Sequence, residues 1–175
     1  LVAGTGAGAA KDADTCFNIM IGCNSGAALN EGDKNILLGQ CSGNTLTDGF
    51  ANVAIGHLAM RDSTGGCYNA FFGFESYGNA TGGSGNTIIG VRAGRCITGS
   101  EGGNTFIGKY AARCSTAGAN NVAIGCNIQL PSATGDNQMA IGIGANKWIY
   151  GDSSYNIYDK DGNQLNGGGG GSSGF

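Results

Sequence analysis

The side chains of this chain that could do chemistry are few, and their spacing limits what they could do. The single histidine, His57, follows Gly56, with Asp62 and Glu75 further along. A histidine between a hydroxyl or thiol and a carboxylate would activate a nucleophile, but no such partners recur with His57 at matching positions. Two carboxylates about 5–10 Å apart would cleave a glycosidic bond by acid–base chemistry. Asp62 and Glu75 are the pair available for that reaction, and nothing in their spacing holds them at that distance. His57 therefore reads as an exposed or partly packed side chain. The chain is expected to be no enzyme, and no residue takes a catalytic role.

Metal and cofactor chemistry have no better support. Seven cysteines, Cys16, Cys23, Cys41, Cys67, Cys96, Cys114 and Cys126, form no Cys-x-x-Cys pair, so a zinc site is not indicated. Their odd number leaves at least one free or bonded to another chain, and most read as small buried hydrophobes. The segment Asp159-Lys160-Asp161-Gly162-Asn163-Gln164 has the content of a calcium loop. It lacks the EF-hand spacing and terminal glutamate, and reads as a hairpin turn. Gly4-x-Gly6-x-Gly8 precedes no helical pattern, so it is not a dinucleotide fingerprint. No metal and no cofactor is expected.

All of these residues hang on a repeat. The phrase Asn121-Val122-Ala123-Ile124-Gly125 returns along the chain, with closing glycines at Gly22, Gly39, Gly56, Gly73, Gly90, Gly108, Gly125 and Gly142. The steps are 17 residues, with one of 18 between Gly90 and Gly108. A fixed period outranks local propensity as a sign of architecture. Leu1-Val2-Ala3-Gly4 fits the end of a ninth phrase, so the expectation is a processed chain, or a piece of a longer one with repeats upstream. The composition, with 36 glycines, one proline and 12% charged residues, does not suit helices. A net charge of -3 and the lack of a Lys/Arg cluster along the chain argue against a nucleic-acid partner. No apolar run approaches the roughly 20 residues that cross a bilayer, so no membrane insertion is expected.

Each column of the repeat has its own physics. The first holds Asn18, Asn35, Asn52, Asn69, Asn86, Asn104 and Asn121, then Gln138. Stacked as rungs about 4.8 Å apart, these amides would hydrogen-bond up the stack as a ladder. The column before the glycine (Ala3, Ile21, Leu38, Ile55, Phe72, Ile89, Ile107, Ile124, Ile141) has the composition of a buried stripe. The glycine then turns the chain. Three residues on, a column of small residues permits close backbone approach. Eight on, Asn30, Thr47, Thr64, Thr81, Thr98 and Thr116 mark a second turn. These threonines form a single column in a Gly-rich corner, so turn support outweighs an ice-binding array. Arg61, Arg95 and Arg113, five past the glycine, read as solvated or cross-chain ion-pair partners of modest value. Cys96 and Cys114 share a further column on adjacent rungs, at a stacking distance a disulfide could span, although their parallel side chains disfavour it.

The repeat thus reads as two short strands and two turns. The fold is expected to be all-β, a parallel β-solenoid of about nine 17-residue rungs. The residues one step further from the glycine, Met20, Leu37, Ala54, Phe71, Ile88, Phe106, Ala123 and Ala140, are also apolar. With the isoleucine column expected inward, this second column must meet something outside the coil. A side-by-side homotrimer around one axis suits a fibre.

The repeat domain spans residues 1–146. The segment 147–166 concentrates aromatics at Trp148, Tyr150 and Tyr155 and reads as a cap with a hairpin, which protects the last rung from edge pairing. Residues 167–175 form a Gly-rich tail, expected to pack extended against other chains.

The phrases Asn121-Val122-Ala123-Ile124-Gly125 and Asn104-Thr105-Phe106-Ile107-Gly108-Lys109-Tyr110-Ala111-Ala112 resemble the head repeats of YadA-type trimeric autotransporter adhesins. They are more similar still to the related repeats of bacteriophage tail fibres, especially those of marine phages. The likeness covers about residues 1–146. It implies a left-handed β-roll, assembled as a trimer and displayed outside a cell or on a virion. The repeat here is longer than in the bacterial adhesin, cysteines are more numerous, and no neck, stalk or anchor is present, which favours the phage fibre. The expected function is a rigid structural shaft or head that contributes to host-surface attachment, with a surface glycan or protein as its partner. A cellular surface filament or adhesin joined end to end is the first alternative, and a glycan-cleaving fibre the second.

Overall fold

The computed structural model describes residues 1–11, 15–78, 81–100 and 102–166. The Gly-rich tail, and the packing expected of it, lie outside the described residues. The chain is all-β and winds as a parallel β-solenoid of about eight turns. Its strands are β1 (Val2–Ala3), β2 (Ile19–Ile21), β3 (Ile36–Leu38), β4 (Val53–Ile55), β5 (Ala70–Phe72), β6 (Thr87–Ile89), β7 (Thr105–Ile107), β8 (Val122–Ile124) and β9 (Met139–Ile143). Each pairs parallel with the next, copy on copy of the phrase: Met20 lies beside Leu37, Leu37 beside Ala54, and Ala54 beside Phe71. The chain then reverses. β10 (Asn146–Gly151) runs antiparallel to β9, and β11 (Ile157–Asp159) antiparallel to β10.

Each full turn contributes one three-residue strand, not the two strands expected. The rest of the rung is bent by residues of positive φ at fixed places. Two and four residues past the glycine stand Leu58 (φ 61°) and Met60 (φ 55°), and one residue before the asparagine stand Lys34 (φ 59°), Ala51 (φ 55°) and Tyr68 (φ 60°). Single left-handed residues break an extended strand without ending its pairing. Backbone hydrogen bonds still join rung to rung through this arc, as from Gly26 N to Ser42 O (2.9 Å) and from Gly43 N to Ala59 O (2.9 Å).

The two apolar columns stand opposite to expectation. Met20, Leu37, Ala54, Phe71, Ile88, Phe106, Ala123 and Ala140 form the core, whereas the isoleucine column before the glycine points outward. Strand alternation explains the inversion. The buried asparagine lies two residues before the core column, so those two share the inner face, and the residues between and after them share the outer one.

The core is thin, and volume is traded within the first rungs. Where the inner strand residue is large, as at Met20 and Leu37, the position six residues on is Gly26 or Gly43. A Cβ there would stand 2.5 Å from Met20 Sδ or 3.0 Å from Leu37 Cδ1. Where the strand offers only Ala54, Met60 fills the space, and both are fully buried. Phe71 and Tyr77 are both large and stack at 4.4 Å with 16° between planes. The trade keeps the first rungs close-packed, and the Phe71–Tyr77 rung instead carries two large side chains that stack.

The asparagines run through this core as a chain of amides. Asn35 donates its backbone N–H (2.8 Å) and its Nδ2 (3.1 Å) to Asn18 Oδ1, and Nδ2 also reaches Gly49 O (2.8 Å). Asn52, Asn69, Asn86 and Asn104 repeat the pattern toward the preceding amide. Asn121 N donates to Asn104 Oδ1, and Gln138 N to Asn121 Oδ1. The longer Gln138 side chain folds back on Ser132 O and Gly135 O, where the amide chain stops. The threonine column adds hydroxyl bonds to the next rung, Thr47 Oγ1 to Thr64 O (2.7 Å) and Thr64 Oγ1 to Thr81 O (2.8 Å).

Candidate functional site

The residues with catalytic chemistry occupy one corner of the coil, just past the column glycine. His57 is exposed and lies against Phe74, ring centroids 5.3 Å apart. Asp62 is paired with Arg61 through Nε (2.9 Å) and Nη2 (2.5 Å). Glu75 accepts from Arg92 Nε at 2.6 Å and from Arg95 Nε at 3.0 Å. Burial alone would raise the Glu75 pKa. The Arg92 hydrogen bond and the charges of Arg95 and Arg92 overcome it and hold the carboxyl below its ordinary range. A general acid needs the opposite shift. Glu75 is built to stay charged and to hold two guanidiniums in place.

The sequence spacing held a clue to this cluster that the expectations missed. Arg92 follows Glu75 by one repeat, so stacking places the two at the same position of adjacent rungs. Within the chain, Arg95 binds Glu75 and Arg113 covers the Tyr110 ring at 5.3 Å.

The cysteines are corrected as well. All seven are free thiols and none is buried: Cys16, Cys23, Cys114 and Cys126 are exposed, and Cys41, Cys67 and Cys96 half-buried. Their columns lie on the outer arc of the rung, beyond the core that the expectation assigned to them. Among the described residues, no three of His, Cys, Asp and Glu come together to hold a metal.

The outer strand face is an apolar surface. Every strand from β2 to β9 presents an apolar residue outward just before the glycine or just after the asparagine. Ile21, Phe72, Ile89, Ile107 and Ile124 are exposed at 36–41%, whereas Leu38, Ile55 and Ile141 are half-buried. At about 4.8 Å per rung step this stripe is about 34 Å long, and an apolar column of that length marks a contact.

The second surface is the antiparallel end. Tyr150 and Tyr158 stack at 5.0 Å, Lys147 Nζ lies 5.5 Å from the Tyr150 ring centroid, and Trp148 is 57% exposed. Lys147, Trp148 and Tyr150, with Pro131, Asn146, Lys160 and Asp161, line an open cleft of about 800 Å³. Tyr155 stands away from it, 69% exposed at φ 62°. Two matching turns shape this end. Asp152 accepts from Ser154 N, Asn156 N, Asn156 Nδ2 and Tyr158 OH, and Asp159 from Asp161 N, Asn163 N and Asn163 Nδ2. These bonds, those from Asn156 and Asn163 foremost, hold both carboxyls below the usual range.

The arrangement offers three surfaces: an apolar stripe, an aromatic cleft and a cationic corner. No family model, curated protein or solved structure matches this chain.

Proposed function

We propose that this chain is a structural segment of an extracellular fibre or adhesin, of the phage tail-fibre kind, in which three rolls stand side by side and stiffen one another. The observation that carries the reading is the outward column from Ile21 to Ile141, apolar on every rung and, among the described residues, exposed at Ile21, Phe72, Ile89, Ile107 and Ile124. A lone roll leaves this stripe in water, whereas a threefold bundle buries it along the whole length. The antiparallel β10 and β11 act as the cap, turning the parallel stack away from further rungs. Trp148, Tyr150 and the cleft beside them would then face a host-surface partner.

The test is solution mass. Sedimentation of the purified chain is expected to give three times the mass of one chain, and Ile89→Lys with Ile124→Lys is expected to give single chains. A wild-type monomer that melts cooperatively at micromolar concentration would overturn the reading.

A further inference from the structure

We infer that the corner formed by the rungs of Gly56 to Gly108 is a binding surface for an anionic glycan, engaged through sulfate or carboxylate groups. The chain is acidic, at -3, yet its charge is sharply divided. All four arginines, with Lys109, gather on this corner, leaving four of the nine cations and, among the described residues, seven acids to the rest of the chain. Among the described residues, the acids paired with these cations are Asp62 and Glu75. The corner therefore carries about three net positive charges on a molecule whose remainder is strongly negative.

Contacts make it one continuous surface. Glu75 bonds Arg92 and Arg95 through the same carboxylate oxygen. Arg92 lies over Phe74 at 5.4 Å, and Lys109 and Arg113 lie over Tyr110 at 5.2 and 5.3 Å. Arg61, one rung before Glu75, also feels its charge. Glu75 engages the Nε–H of each guanidinium and so fixes its orientation, and the Arg92 guanidinium also bonds Tyr110 on the next rung. A prepositioned guanidinium fork matches carboxylate and sulfate geometry.

The patch spans three rung steps, about 14 Å along the axis. Beyond it, the acidic remainder repels a long, uniformly charged strand. The faces of Phe74 and Tyr110 are taken by cations, which leaves no free platform for a nucleobase. Short runs of anionic groups at saccharide spacing fit this surface better than nucleic acid does. No Lys/Arg run reveals it along the sequence; the period of the coil assembles it in space. The choice of a glycan rests on the proposed attachment role, whereas the cationic corner stands on the contacts alone.

The experiment is titration of the full chain, at low ionic strength, with a heparin oligosaccharide, a neutral dextran of equal length and a single-stranded oligonucleotide of equal charge. Heparin is expected to bind and dextran not to. Arg95→Ser with Arg113→Ser is expected to weaken heparin at least about tenfold, as loss of two charged contacts should, while Lys34→Ser, an exposed cation off the corner, changes nothing. Circular dichroism and sedimentation establish that each variant keeps its fold and mass. Lys109→Ser, which breaks none of the ion pairs among the described residues, serves if the double variant fails to fold and is expected to weaken heparin alone. Unchanged heparin affinity in the folded variants overturns the inference, as does equal or tighter binding of the oligonucleotide. A loss of oligomer mass in the arginine variant overturns it too, by assigning the corner to an interface between copies. If the wild type is monomeric yet binds heparin through these residues, the fibre reading fails and the cationic site stands.

Discussion

At Gly73 the backbone runs at φ +135°, and a Cβ there would lie 2.5 Å from the carbonyl oxygen of Gly90 on the next rung. Neither the dihedral nor the contact tolerates a methyl group, and no side chain can rotate away to admit one. Gly73→Ala is expected to destabilise by about 3 kcal/mol or more, the sum of left-region strain and a backbone clash, read as a fall in the thermal or urea midpoint. Lys34 presents the reverse case. It is exposed at φ 59°, so Lys34→Gly removes strain without removing a packed group and is expected to stabilise by about 0.5–1 kcal/mol. Asn69 accepts from Asn86 N (2.9 Å) and donates to Gly83 O (2.9 Å). Asn69→Ala orphans both buried groups and is expected to cost about 2–5 kcal/mol by denaturant unfolding. The glycine and asparagine columns were legible in the sequence because one residue type fills each. The left-handed positions were not: lysine, alanine, tyrosine, leucine and methionine share them, since the stacked rungs impose that backbone whatever the side chain prefers.

The strands show where reading by composition misleads. Isoleucine before the glycine looks like core, and the neighbouring column of alanine, phenylalanine and leucine looks equally apolar, so type alone could not choose between them. The period of two decides once the asparagine is known to face inward. The outward isoleucines set the prediction at this scale: Ile89→Lys with Ile124→Lys should separate chains while leaving the solenoid's circular dichroism unchanged, because neither side chain touches the core column. The antiparallel end responds to pH. Asp152 and Asp159 have lowered pKa values from the hydrogen bonds of Asn156 and Asn163. The two turns are therefore favoured fully above the ordinary aspartate value of about 4 and lose that support as pH falls through the lowered values. Acid titration followed by NMR is expected to loosen residues 152–163 before the amide ladder. Simultaneous loss of both would show that the end is not a separate unit. The Asp-x-x-x-Asn pair that builds these turns, at 152/156 and 159/163, was present in the sequence, but only the fold shows that each pair closes a turn.

For the whole molecule, the period of 17 was sufficient to specify a stack, because a fixed repeat allows each rung to contact only its neighbours. Charge was not legible in the same way. Arginines separated by tens of residues along the chain become neighbours only after coiling, and the single 18-residue step keeps Arg95 and Arg113 on the same column. The direction of the hydrogen bonds has a mechanical consequence. Backbone, asparagine and threonine bonds between rungs lie along the axis of the stack. Tension along that axis loads all the bonds of a junction together, and they must fail as a set. Force applied sideways at one end can peel the same bonds one by one. A roll of this design is a tether that resists being pulled lengthwise and yields to being unwound, and single-molecule stretching in the two directions should give different rupture forces.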